Sequence, residues 1–267
     1  MRPEDVMNPI YGGNLSLAWA SALDRCWHAK GQVLAPGIVG FDASQDNAQS
    51  IESTGIRMAL EEFLAPIGTR AIPQSPIESV AGTIFPESIW RRCNGDPDRL
   101  YKSYNDMWPR VGRCPLNRRG TYFRRLTAFG DDVRNGNQLR KIAEVWGKGV
   151  HRLSALQAAV FDPAKDHKAA RRLGFPCLQH VVFQPIGTNG TDGLSVIAFY
   201  ANQLLIDKAY GNYLGLYRLG KFMADQMGLE LRNVICFAAC LKLGKRSKKD
   251  TDLFTMEVAR AAHVAKR

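Results

Sequence analysis

The chain has 267 residues, 45% of them hydrophobic, enough for one domain with a sizeable core and requiring no second domain. Lys and Arg number 36 against 25 Asp and Glu, and the net charge of +11 points either to anionic partners (nucleotide phosphates, polyglutamate tails, nucleic acid) or to a solvated basic surface. No apolar run reaches the ~18 residues of a membrane helix, none of the six cysteines forms a CxxC pair, and Met1-Arg2-Pro3-Glu4-Asp5 lacks a signal-peptide pattern, so the expectation is a reduced cytoplasmic chain, free of zinc and of membranes.

In chain order, Asn14 or Ser16 caps a helix over 17–28, and 33–41 reads as a strand. Helical spacing returns over 51–64, and Pro73 and Pro76 make 71–77 an extended connection. Glu78 is then the lone acid in an apolar run reaching Phe85. Arginines and aromatic residues fill 90–125 without clean periodicity, which suggests irregular backbone fitted to a nucleotide or single strand, or an interface with paired arginines. A short helix is expected over 138–146, a strand or helix end over 153–161, and a turn at 162–166. A strand over 234–243, a basic loop at 245–249 and an amphipathic helix over 253–265 finish the chain.

The stretch 174–230 organises the rest. Gly174-Phe175-Pro176-Cys177 leads into the apolar run 178–183, a Gly/Asn/Thr/Asp turn occupies 187–193, and a second apolar run, 194–200, precedes a long helix over 210–227. A cysteine nucleophile has to be partly exposed and pushed toward thiolate by nearby positive charge. Arg171 and Arg172 are close in sequence, and His180 sits on the same strand. A buried structural cysteine at a strand start is the plainer alternative, as it is for Cys236 and Cys240.

Pro176-Cys177-Leu178 with Phe183, followed by Tyr210-Gly211-Asn212-Tyr213-Leu214-Gly215-Leu216 and Gly228-Leu229-Glu230, resembles the thymidylate synthase superfamily. Those enzymes alkylate C5 of a pyrimidine nucleotide with methylenetetrahydrofolate. His151-Arg152, Phe161-Asp162-Pro163 with Asp166, and Tyr122-Phe123-Arg124-Arg125-Leu126 are similar to further family blocks, so the likeness covers about 120–230.

The resemblance implies an α/β (α+β) fold with a large mixed sheet, the long helix across it, and two copies stacked sheet to sheet. It makes Cys177 the nucleophile that attacks C6 of the ring. Asn212 would read the base edge, because an amide both donates and accepts; a helix-capping role is the alternative. Glu78 is the candidate acid/base, or else a satisfied structural carboxylate. Arg152 would reach the phosphate across the dimer, or make a surface ion pair. Tyr122, Arg125 and Gln179 complete the candidate substrate-binding set.

Departures from the family stand beside these matches. Its phosphate-gripping Arg-Ser is Ala201-Asn202, its folate-contacting aspartate is Leu204, and its ribose-holding His-x-Tyr is Lys242-Leu243-Gly244. Two accounts follow: C5 one-carbon transfer (methyl or hydroxymethyl) to a differently presented pyrimidine nucleotide, or a non-catalytic relative that binds nucleotides or nucleic acid.

Overall fold

The computed structural model describes residues 8–44, 51–65, 76–117, 119–149, 152–167, 175–187, 193–244 and 248–266. After β1 (Ile10–Gly12), Asn14 opens α1 (Leu15–His28) by accepting from the Leu17 amide at 2.9 Å. The expected 33–41 strand is two strands, β2 (Val33–Leu34) and β3 (Gly37–Asp42), divided at Ala35-Pro36, where proline offers no N–H to a ladder. Two helices follow, α2 (Thr54–Leu64) and α3 (Pro76–Ile84). Residues 71–75 of the expected extended connection lie outside the described residues, and Pro76-Ile77 opens α3 instead.

The 90–125 region is helical, which corrects the expectation of irregular backbone. It holds the end of α4 (Glu87–Trp90), then α5 (Pro97–Val111) and α6 (Tyr122–Thr127). Asp96 caps α5 by accepting from the amides of Asp98 (2.8 Å) and Arg99 (3.2 Å), with Pro97 at the first helical position. Leu100, Tyr101 and Tyr104 make its buried stripe. The helical period was carried by aromatic residues and hidden among the arginines.

The rest comprises α7 (Gln138–Gly147), β4 (Gln157–Ala159), α8 (Pro163–Asp166), β5 (Leu178–Ile186), β6 (Gly193–Tyr200), β7 (Gln203–Leu204), α9 (Tyr210–Met227), β8 (Leu231–Ala238), β9 (Leu241–Lys242) and α10 (Lys248–Ala265). The expected 234–243 strand is thus split between β8 and β9. Most of the 187–193 turn and of the 245–249 loop falls outside the described residues.

A mixed six-stranded sheet runs β1-β3-β8-β6-β5-β4, parallel at β1/β3 and β6/β8 and antiparallel elsewhere; β2-β9-β7 form a small second sheet. Helices α1, α9, α6 and α7 pack on the large sheet, with α9 against β6 and β8. Their side of it is apolar and sealed: Val39, Phe41, Ala158, Val181, Phe183, Val196, Ala198, Val234 and Cys236 are at most 1% exposed. Alternation sends the intervening residues to the other face. There the register aligns His180, Phe199, Phe237 and Ile38 in one row, and Val182, Ile197, Ile235, Gly40 and Tyr11 in the next. His180, Phe199 and Phe237 stack with centroids 5.5 and 5.2 Å apart. Tyr11 is 61% exposed, and the other named side chains of these rows remain partly exposed.

On its second side α9 carries α3. A Cβ on Gly211 would lie 2.7 Å from Val80 Cβ, and one on Gly215 would lie 2.8 Å from the Ala81 carbonyl, so the two helices touch backbone to backbone there. A five-residue π-helical turn, Leu205–Ala209, leads into α9.

Candidate active site

Cys177 sits immediately before β5, and its backbone is held from three directions. Its carbonyl accepts from the Ala201 amide at 3.0 Å and from Gln179 Nε2 at 3.2 Å; Gln179 Nε2 also donates to the Pro176 carbonyl at 3.0 Å. The ladder to β6 skips a residue between Leu178 and His180, so Gln179 occupies a bulge. Its carbonyl accepts from Val160 (2.8 Å) and Phe161 (3.0 Å). Gln179, expected at the substrate, is used to shape the turn that carries the thiol.

Tyr122 and Arg125 support the same turn from α6. The Tyr122 ring lies 5.1 Å from that of Phe175, and its buried phenol faces the backbone amides of Cys177 and Leu178. Arg125 is a buried clamp: its guanidinium donates to both oxygens of Asp166 (3.1 and 3.0 Å) and to the carbonyls of Val160 (3.4 Å) and Arg119 (3.3 Å), and lies 5.4 Å above the Phe175 ring. Both members of the Arg125–Asp166 pair are under 10% exposed. With these bonds made, Arg125 secures the 160–166 segment and Phe175.

The thiol is half-buried. Burial pushes it above the ordinary thiol range, while the Lys208 ammonium acts in the opposite sense without cancelling it. Cys177 is therefore a neutral thiol at pH 7 with a cation beside it. Lys208 lies in the π-helical turn, four residues before Asn212, a placement no sequence motif announced. Arg171, Arg172 and His151 are outside the described residues. His180 stacks on Phe199 on the opposite sheet face, so it does not activate the thiol.

Asn212 is buried (4% exposed) in the first turn of α9. Two facts join that helix head to the thiol. Lys208, one turn upstream, bears on Cys177, and buried Tyr200 has Cys177, Tyr122 and Tyr213 as electrostatic neighbours. Arg152 is exposed, ahead of the short turn that leads into edge strand β4.

Glu78 belongs to a different place. Its carboxylate accepts from Arg57 at 2.8 Å and from Arg218 at 2.7 and 3.0 Å, and Arg57 also pairs with Glu52 and Glu61. Burial opposes the charge, but the bonds from Arg218 and Arg57 outweigh it and hold the carboxyl down at about 2. Arg218 is six residues along α9 from Asn212, or about 240° around the helix, so the two side chains leave it on different sides. The expected acid/base residue is a carboxylate locked between arginines, away from the asparagine it was to serve.

Among the described residues no group of three His, Cys, Asp or Glu could hold a metal, and no helix is long and apolar enough to cross a membrane. No protein-family model matches the chain, and no curated protein matches it. A reduced pterin presents a guanidine-like N–C–N edge that calls for a carboxylate. The position where the resemblance expects that aspartate is Leu204 in β7, and the charged group bearing on Cys177 is Lys208. The residues here do not fit methylenetetrahydrofolate.

Proposed function

We propose that the chain carries out C5 chemistry on a pyrimidine nucleotide, with Cys177 as the covalent nucleophile. What supports this reading is the meeting of a half-buried thiol, a lysine and the head of α9 at the mouth of β5. Lys208 favours the thiolate when the thiol gives up its proton. The Sγ–C6 bond then forms, the C5=C6 electron pair moves to C5 and O4, and C5 becomes a carbon nucleophile. Attack on a one-carbon electrophile at the formaldehyde level, loss of the C5 proton and expulsion of Cys177 give the hydroxymethyl product without net oxidation. A methyl product needs a hydride donor as well. In this reading Asn212 holds the ring edge and Arg152 approaches the phosphate.

The test is exchange of the C5 hydrogen of a uridine nucleotide for solvent deuterium, together with an intact-mass adduct with the 5-fluoro analogue. Both require Cys177. Their absence from the wild-type protein for every pyrimidine nucleotide tried defeats the catalytic reading.

The clamped state of Glu78 and the neutral thiol favour a second reading, a non-catalytic protein that binds nucleotides or nucleic acid. Nucleic-acid binding of that kind weakens steeply as salt rises, because phosphate contacts release counterions. In either reading the partner of the open apolar sheet face is a second copy of the chain: the His180–Phe199–Phe237 stack and its neighbouring row form a contiguous, uncovered patch.

A further inference from the structure

Among the described residues four buried side-chain polar atoms have no hydrogen-bond partner: Arg124 Nε, Tyr200 Oη, Asn202 Oδ1 and Gln203 Nε2. Three of them fall within four consecutive residues, on the connection between β6 and the turn that opens α9. Native proteins pair almost all such atoms, and each one left sealed and unpaired subtracts from stability. A cluster of them beside a nucleophile candidate calls for a cause.

Poor backbone placement is not that cause. The Ala201 amide bonds Cys177, the Gln203 amide bonds the Cys240 carbonyl at 2.9 Å, and the Tyr200 carbonyl accepts from Ala239 at 2.9 Å. The main chain is tied down, and the side chains alone are unsatisfied. Gln203 has one half of its amide committed, since its Oε1 accepts from Tyr213 Oη at 3.2 Å, leaving Nε2 as a donor. Tyr200 is fully buried with Cys177 among its neighbours, and burial keeps its phenol protonated and able to donate. Asn202 Oδ1 is an acceptor.

We propose that Tyr200, Asn202 and Gln203 read the polar edge of the ring at Cys177, and that the ring has a carbonyl–imide–carbonyl edge of the uracil type. The inference rests on the pyrimidine reading above and names its substrate class. Two donors and one acceptor complement the two carbonyl acceptors and the imide donor of such a ring. Cytosine offers an amino donor where uracil offers a carbonyl, and so leaves a protein donor facing a donor. The ring reaches these atoms by displacement of the connection that carries them, which consists of a two-residue strand and a π-helical turn. Turns of that kind are frequent at functional sites because their hydrogen bonding is readily rearranged.

The experiment compares wild type, Tyr200→Phe and Gln203→Met by thermal melting, without ligand and with uridine, cytidine or adenosine monophosphate. Removing an orphaned hydroxyl or amide relieves a cost, so both variants should melt no lower than wild type when unliganded. Wild type should respond to uridine monophosphate above the other two. Each variant should need at least about tenfold more of it for the same shift, since a site built to hydrogen-bond a group discriminates strongly. Lower unliganded melting in both variants shows that the polar atoms are structural and overturns the inference. So does an unchanged uridine response, or a wild-type preference for cytidine. A wild type that answers to no nucleotide overturns the pyrimidine reading itself, which sets that failure apart.

Discussion

The two sides of α9 make opposite use of polar groups. On one, Glu78 collects three hydrogen bonds from two arginines, and Arg57 spreads its charge over three carboxylates. On the other, a thiol, a lysine, a buried asparagine and three orphaned polar atoms share the mouth of β5. A charge network that already satisfies itself holds helices together and has nothing left for a ligand. A set of groups that leaves its bonding capacity open weakens the fold locally and keeps that capacity for something else.

The sharpest way to break this comparison is to exchange the expected effects of Cys177→Ala and Glu78→Gln. Cys177→Ala should abolish the 5-fluoropyrimidine adduct in intact mass while changing unfolding free energy by less than about 1 kcal/mol. Glu78→Gln should keep the adduct and cost about 2 kcal/mol in denaturant unfolding, a figure that allows for the partial exposure of the carboxylate. An adduct lost in Glu78→Gln with stability intact would restore Glu78 to the chemistry.

The same carboxylate sets an acid limb. Its folded value of about 2 lies below its unfolded value of ~4.5, so its contribution is complete above about pH 5 and is lost as pH falls from there toward 2. Stability measured over that range should fall less steeply in Glu78→Gln than in wild type.

On the sheet, Phe237→Glu places a charge in the middle of the open apolar rows. Sedimentation should show wild type as a dimer and this variant shifted to monomer; a wild type that is monomeric at all concentrations removes the second copy from the proposal. The smallest effect belongs to Lys208→Gln. Alkylation of Cys177 should show its pH inflection above the ordinary thiol range in wild type and higher still in the variant, with a rate several-fold lower at pH 8.

Elements with a regular period were legible in the sequence. The helices at 17–28, 138–146 and 210–227 and the strands on either side of the 187–193 turn appear close to where spacing put them. The helix 97–111 was not, because its buried stripe is built from Leu100, Tyr101 and Tyr104 amid exposed polar residues. Cys177 and Asn212 could be picked out because each stands in a local pattern. The state of Glu78 could not, since its partners are 21 residues before it and 140 after it. Nor could the employment of Gln179 and Arg125, whose bonds depend on where Pro176, Val160 and Asp166 arrive in three dimensions.

The bulge at Gln179 has a consequence for where the sulfur can be. Strand side chains alternate, so excising one residue there leaves the chain two choices. Either Val181 and Phe183 rotate out of the interior and His180 and Val182 rotate in, or the segment slides and draws Cys177 into the ladder. The first empties the core and the second retracts the thiol from the rim. A single supernumerary residue thus lets one strand serve a packed interior and an accessible sulfur at once.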